Sequence, residues 1–213
     1  MILTVGGIKG GSGKTTIATT LAIIRASLQK DVLLVDADDQ ETASDFTILR
    51  NEKTQEMSRY TSVKLTGSSV RTEILRMVDK YDDIIIDTGG RDTTSQRAAL
   101  TISQKLIVPF VPRSFDIWTL EKVSELVTEI SLVNPNLEAN AFINRGDPKG
   151  QENKETAELL KESISIKFID IIIGTRKAFG NAASQGLCVT EIKPADEKAI
   201  EEVLSLYKHI FDS

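Results

Sequence analysis

Residues 6–16 read GGIKGGSGKTT, directly after the apolar run ILTV (2–5) and at the head of a helical pattern that continues to about residue 29. Closely spaced glycines let the backbone turn its N–H groups inward, and the start of a helix adds partial positive charge at the same place. A strand, a glycine-rich turn and a helix opening on Lys and Thr therefore make a cradle for phosphate. In that reading Gly10, Gly11, Ser12 and Gly13 supply the backbone and Lys14 neutralises β- and γ-phosphate oxygens. The Thr15 hydroxyl ligates Mg²⁺, and Thr16 reaches the α-phosphate. The common spacing G-x-x-x-x-G-K-[ST] is not met, because Ile8 stands where its first glycine would be. A second lysine, Lys9, lies five residues before Lys14. The cradle alone gives it no task.

Outward from this loop, short apolar runs alternate with longer helical patterns. The runs are ILTV (2–5), VLLVD (32–36), VKL (63–65), DIIID (83–87), LIVPFV (106–111), AFIN (141–144) and FIDIII (168–173). They are rich in Ile and Val and apolar on both sides, as strands buried on both faces are. Helical segments are predicted at about 14–29, 68–80, 93–103, 115–133, 151–163 and 195–211. This alternation predicts an α/β fold, a mainly parallel twisted sheet with helices on both faces, and the phosphate loop after its first strand makes it one of the P-loop NTPase type. Ligands in such sheets bind at the carboxyl ends of the strands. The polar clusters GGIKGGSGKTT, DADDQ (36–40), DTGGRD (87–92) and NRGDPKG (144–150) each follow a strand and should converge there.

Hydrolysis of a nucleotide needs more than a phosphate cradle. Asp87, ending DIIID, is placed to hold the Mg²⁺ shell; the alternative is an ordinary strand-end turn. Gly89 and Gly90 would present a backbone N–H to the γ-phosphate. DADDQ adds carboxylates at Asp36, Asp38 and Asp39 from which a water-positioning group can come.

The bulk numbers narrow the class. The 213 residues suit one α/β domain spanning 1–213. The single cysteine, Cys188, leaves no internal disulfide and no CxxC metal site, and His209 is the one histidine. These fit a cytoplasmic protein. No apolar run approaches the roughly 20 residues that span a bilayer, and MILTVGG lacks the basic start of a signal peptide. The net charge of −5 means that any role on nucleic acid must rest on a local patch.

KGGSGKTT (9–16), VDADDQ (35–40) and IIIDTGG (84–90) together resemble the three nucleotide motifs of the ParA/MinD ATPases, the deviant Walker A group, in order and spacing along nearly the whole chain. The resemblance implies a role for Lys9. In that family the early lysine reaches across an ATP-sandwich dimer to the partner's phosphates, as an arginine finger does in trans. Lys9 and Lys14 would then both be catalytic. Asp38 matches the aspartate that helps activate the attacking water, with Asp36 nearer the Mg²⁺ shell. Here Asp39 replaces the proline usual in that motif, which raises the question of where an added carboxylate points. Asn144 in FINR resembles the base-reading position of some members. PRSFDIWTLEKV (112–123) resembles the segment that begins a helix near the dimer interface, where Ser114 or Asp116 would cap that helix and Trp118 would pack.

Absences separate the members. Iron–sulfur relatives carry paired cysteines. MinD relatives end in a basic amphipathic membrane helix, whereas residues 191–213 hold three Lys/Arg against six Asp/Glu. Larger ParA proteins carry an N-terminal helix-turn-helix, for which a chain opening on its first strand leaves no room. The expectation is a small ParA-type ATPase that positions or segregates a cargo, such as a plasmid, a chromosome or a carboxysome-like assembly. It would have a weak intrinsic ATPase stimulated by an adaptor or centromere-binding partner. It would bind DNA without sequence preference, associate with the nucleoid and not bind membrane. The competing readings are a MinD-like membrane regulator and a dethiobiotin-synthase-like metabolic enzyme. Arg176 in IGTRKAFGNAASQG matches an arginine of small ParA proteins, so Arg176, Lys177 and Arg145 are the DNA-binding candidates. Lys149, Lys154 and Lys167 are weaker ones. Lys14→Ala is expected to abolish productive ATP binding; normal hydrolysis by that variant would show that the loop is not a phosphate cradle.

Overall fold

Seven strands form one sheet: β1 (Ile2–Val5), β2 (Val32–Ala37), β3 (Thr61–Lys64), β4 (Asp83–Thr88), β5 (Lys105–Phe110), β6 (Glu138–Gly146) and β7 (Lys167–Gly174). Their order is β3-β2-β4-β1-β5-β6-β7 and every pairing is parallel. The computed structural model describes residues 1–54, 59–112, 116–147 and 150–212. Among them, eight α-helices join the strands: α1 (Lys14–Ser27), α2 (Thr42–Thr54), α3 (Ser69–Met77), α4 (Thr94–Leu100), α5 (Asp116–Ser131), α6 (Glu152–Glu162), α7 (Lys177–Ala183) and α8 (Glu197–Phe211).

The pleat explains the continuous apolar runs. Leu3, Val5, Leu34, Ile85, Ile107 and Phe142 face one core, covered by α1, α7 and α8. Their neighbours point the other way. Leu33, Val35, Ile84 and Ile86 meet α3 and α4, while Leu106, Val108, Ala141 and Ile143 meet α5 and α6. Central strands buried on both faces have no polar side to show, so they read as unbroken Ile/Val/Leu stretches. β1 lies at the centre, between β4 and β5. The chain leaves β1 toward one side of the sheet and later, after β4, crosses to the other. That reversal opens a crevice at the carboxyl ends, where GGIKGGSGKTT sits.

All seven predicted strands are present. Two helices were not anticipated. The buried positions of α2 are Ala43, Thr47 and Arg50, spaced as one helical face but made of side chains that do not read as apolar. α7 is seven residues long and contains Gly180. The start of the predicted 115–133 helix is seen from Asp116; Ser114, the other proposed cap, lies outside the described residues.

α8 lays Ala199, Val203, Leu206, Tyr207 and Ile210 into the core. Arg25 donates to the Tyr207 hydroxyl (3.1 Å) and stands 4.7 Å from the Phe211 ring centroid. Lys105 Nζ donates to the Ile210 carbonyl at 2.7 Å. The apolar face of this last helix is thus consumed by packing. No helix among the described residues is long and apolar enough to cross a membrane.

A charged clasp ties α2 to the segment after α7. Arg50 donates to both oxygens of Glu191 (2.7 and 2.8 Å) and to the Gly186 carbonyl (2.9 Å). Glu191 also accepts from the Cys188 N–H at 2.9 Å. Gly186 has φ +68°, and a Cβ there would stand 2.5 Å from Arg50 Cα. Arg50 is nearly buried, so removing it strands Glu191 and the Gly186 carbonyl. Arg50→Met is expected to destabilise the fold by roughly 3 kcal/mol, the low end for breaking a buried pair because Glu191 keeps some solvent contact. Urea unfolding monitored by circular dichroism measures this; a loss below about 1 kcal/mol, the worth of a surface pair, would mean that the clasp is not a structural link.

Candidate nucleotide-binding site

The loop between β1 and α1 has the backbone its sequence demands. Gly11 (φ +75°) and Gly13 (φ +92°) adopt left-handed conformations that other residues rarely take, and no atom lies within 4 Å of where a Cβ would stand on Gly10 or Gly11. Open space bounded by backbone is what a phosphate chain requires. Gly13 precedes α1 with no side-chain cap, and no acidic residue occupies the first turn. The first N–H groups of α1 are therefore left for an anion.

Lys14 points into this space and is buried. Its Nζ donates to the Lys9 carbonyl at 2.8 Å. Burial lowers its pKa, and the charges of Asp87 and Asp38 partly restore it. Lys9 is half-buried at the rim of the same loop, so the two lysines occupy different settings.

Asp87, the penultimate residue of β4, has no solvent exposure, and neither carboxylate oxygen has a well-formed hydrogen bond. Burial pushes its pKa up to about 7; the Thr15 hydroxyl and Lys14 favour the charged form, while Asp36 and Asp38 oppose it. A buried carboxylate without a partner, beside a threonine hydroxyl, fits a hard divalent cation with oxygen ligands. Mg²⁺ takes few protein ligands and completes its shell with water and phosphate. The lack of any three-residue His/Cys/Asp/Glu cluster among the described residues is compatible with that.

The other carboxylates of the second motif have separate surroundings. Asp36 is fully buried: its Oδ2 accepts from the Ser44 N–H (2.8 Å) and hydroxyl (2.7 Å), and its Oδ1 from the Asp38 N–H (3.2 Å). It acts as the acceptor for the first turn of α2, and Asp87 is the carboxylate with open lone pairs. Asp38 is half-buried against Gly89, where a Cβ would stand 2.8 Å from Asp38 Oδ1. Asp39 is exposed and contributes to the field around Lys64, which pairs with Glu41. The carboxylate that replaces the usual proline thus points outward. Gly90 packs on the loop itself: a Cβ would stand 2.6 Å from the Gly10 N and Cα and 2.9 Å from the Lys9 carbonyl carbon.

Beside the loop lies a cleft of ≈ 550 Å³ lined by Gly13, Thr16, Asn144, Asp147 and Lys177 among others, a volume within the usual range of small-molecule pockets of about 300–1,000 Å³. Asn144 is buried at the end of β6, and its Nδ2 donates to the Ser12 carbonyl at 2.7 Å. The three DNA-binding candidates border this cleft. Arg145 is exposed with φ +56°, at a register irregularity of β6. Lys177 is exposed at the first position of α7. Arg176 differs from the expectation. Its guanidinium is largely covered and donates to both oxygens of Glu202 on α8 (2.5 and 3.1 Å), with Asp196 at 3.9 Å. It is a strut of the cleft wall, its charge shared with Glu202. Of the weaker candidates, Lys149 lies outside the described residues. Lys167 starts β7, at the opposite end of the strands from the phosphate loop.

Residues 3–189 match the CobQ/CobB/MinD/ParA nucleotide binding domain. The chain belongs to this family. It is 27% identical over 195 residues to the "Maintenance of carboxysome distribution protein A" of Gloeobacter kilaueensis, covering 91% of this chain and 85% of that one. The ATP complex of a McdA variant from Cyanothece superposes with a TM-score of 0.79 at 15% identity, covering 99% of this chain and 96% of that one. A putative plasmid partition protein of Borrelia burgdorferi bound to AMPPNP gives 0.75 at 20% identity, covering 99% of each chain. The ParA/MinD chain described here is thus a small ParA-type member with the fold its motifs predict.

Ser44, Arg50 and Glu202 were missed as supports of the site. Each acts through hydrogen bonds to residues at least eight positions away, and none belongs to a motif or to an apolar periodic face.

Burying Asp87 charged costs stability that no well-formed hydrogen bond of its carboxylate offsets. Its folded pKa, about 7, lies above the ordinary aspartate value of 3.8. The folded state therefore binds the proton more tightly, and stability falls as pH rises through this window, levelling off above about 7. Asp87→Asn is expected to raise the melting temperature of the nucleotide-free protein. The gain over wild type should widen from pH 5 to pH 7 and reach a few kcal/mol. A pH-independent gain, or a loss, in differential scanning fluorimetry would contradict this account.

Proposed function

We propose that this chain is a ParA-type ATPase that forms an ATP-sandwich dimer and binds DNA without sequence preference. Its cycle positions or segregates a cargo and is driven by a partner that stimulates hydrolysis. The observation that carries the proposal is the division between the two lysines of one loop. Lys14 is buried beside Asp87 over its own phosphate space, while Lys9 stands on the rim. Residues on a rim meet what lies outside the subunit.

The residues then take these roles. Backbone N–H groups of the loop and of the first turn of α1 hold the phosphates, with Thr16 at the α-phosphate. Thr15 and Asp87 would hold Mg²⁺, with Asp36 fixed behind them by Ser44; the metal, when bound, neutralises charge on the phosphate oxygens. Asp38, beside Gly89, orients the attacking water, and Gly90 offers its N–H near the γ-phosphate. Lys9 adds a cation to the partner's transferring phosphoryl group. That makes the reaction depend on dimerisation. Asn144 lines the nucleoside cleft. With Arg176 paired to Glu202, Lys177 and Arg145 are the exposed candidates on the cleft that would meet DNA, doubled by the dimer. Their small number in a chain of net charge −5 favours binding that is weak per subunit and therefore switched by assembly. The names of the carboxysome-distribution and plasmid-partition relatives support a cargo role.

The test is fluorescence anisotropy with a random-sequence duplex, using wild type and Lys9→Ala with ATP, ADP or no nucleotide. Binding is expected with ATP only, lost in Lys9→Ala, and weakened about 10- to 150-fold between 50 and 200 mM salt for two to four phosphate contacts. Wild type that ignores DNA in every nucleotide state would end the positioning reading and leave a P-loop ATPase of another kind.

A further inference from the structure

The cleft and the phosphate loop share one side chain. Asn144 is 6% exposed, and its Nδ2 reaches the Ser12 carbonyl at 2.7 Å from a strand β1 does not even pair with. A carbonyl only accepts, so this contact fixes the amide: nitrogen toward the loop, Oδ1 turned from it. The loop is shaped around the amide as well. Gly13 has φ +92°, and a Cβ there would collide with Asn144 Nδ2. Lys14 Nζ (2.8 Å) and Ser12 Oγ (3.5 Å) both reach the Lys9 carbonyl and brace the loop from within. Asn144 braces it from the sheet, at the residue pair that leads into α1. The same side chain lines the adjoining cleft.

We propose that Asn144 is a positioning residue of the phosphate loop. It holds Ser12–Gly13 in the shape that receives phosphate and ties that shape to occupancy of the cleft. This inference rests on the nucleotide-binding reading above and departs from a base-reading role in one respect. A base reader matters only to ligands that carry a base, whereas a loop brace matters to any ligand the loop holds. Loss of the brace leaves a buried carbonyl unpaired and frees a glycine-rich turn.

The experiment compares ATP with inorganic tripolyphosphate, which has no base, both with Mg²⁺, by isothermal titration calorimetry on wild type and Asn144→Leu. Leucine keeps much of the volume and removes the donor. Both affinities are expected to fall about tenfold, within about 5- to 100-fold for one buried hydrogen bond left unmade. An Asn144→Leu protein that loses affinity for ATP alone would overturn the brace and leave Asn144 a base contact. If wild type binds neither ligand, the nucleotide reading fails and takes the inference with it. Hydrogen exchange on wild type needs no variant, so it decides if Asn144→Leu does not fold or if tripolyphosphate binds too weakly to measure. Adenosine, which on the nucleotide reading occupies the cleft and carries no phosphate, is expected to slow exchange of the amides of residues 12–15. Unchanged exchange there would overturn the coupling.

Discussion

Asp87 is the constraint around which the site is assembled. In the parallel register it stands opposite Val5 of β1 on one side and Asp36 of β2 on the other. Two carboxylates on neighbouring strands at the same register share a face and repel. The fold answers this with different partners for each. Asp36 receives two hydrogen bonds from Ser44 and so becomes part of the start of α2. Asp87 keeps only the nearby Lys14 charge and the Thr15 hydroxyl. One carboxylate is engaged in architecture and the other keeps its lone pairs open. Lys14 is buried for the same reason: a cation at that depth is tolerated because Asp87 and Asp38 face it.

The same pairing explains how α2 is held. Its inward face presents Ala43, Thr47 and Arg50, which bury little apolar area. Polar anchors at either end replace that area. Asp36 takes the first turn, and Arg50 reaches Glu191 and Gly186 further along. Apolar contacts hold a helix somewhere on a surface; directed hydrogen bonds hold it at one place. α2 begins a few residues after Asp38, so its placement sets where the second motif lies against the loop. The Arg50 clasp adds the segment 186–191, whose Leu187, Cys188 and Val189 border a small cavity with Thr15 and Thr16. The C-terminal part of the chain thereby supports the floor of the phosphate site.

These interactions also mark what was legible in the sequence. The strands, most helices, the phosphate loop and the convergence of polar clusters follow from periodicity and local composition, because each is written within a dozen residues. α2 was not legible, since its buried stripe is Ala, Thr and Arg. Nor were the roles of Ser44 and Glu202, which depend on partners eight and 26 residues away. Asp39 shows the limit from the other side. A carboxylate in a motif looks electrostatically costly until the backbone turns it outward.

Arg176 carries the most general lesson about reading charge. As a residue type in a loop it is a cation available to DNA. In the fold it is half of a partly exposed ion pair, because α8 brings Glu202 to it and Glu202 also accepts the Gly174 N–H at 3.0 Å. The contact ends β7, opens α7 and docks α8 at once, so the charge is committed to shape. In an acidic chain such commitments lower the number of cations that face outward. In the proposed dimer, an anionic polymer would be held where two copies bring their exposed cations together. Under the proposed cycle, separating the copies would then be sufficient to release DNA.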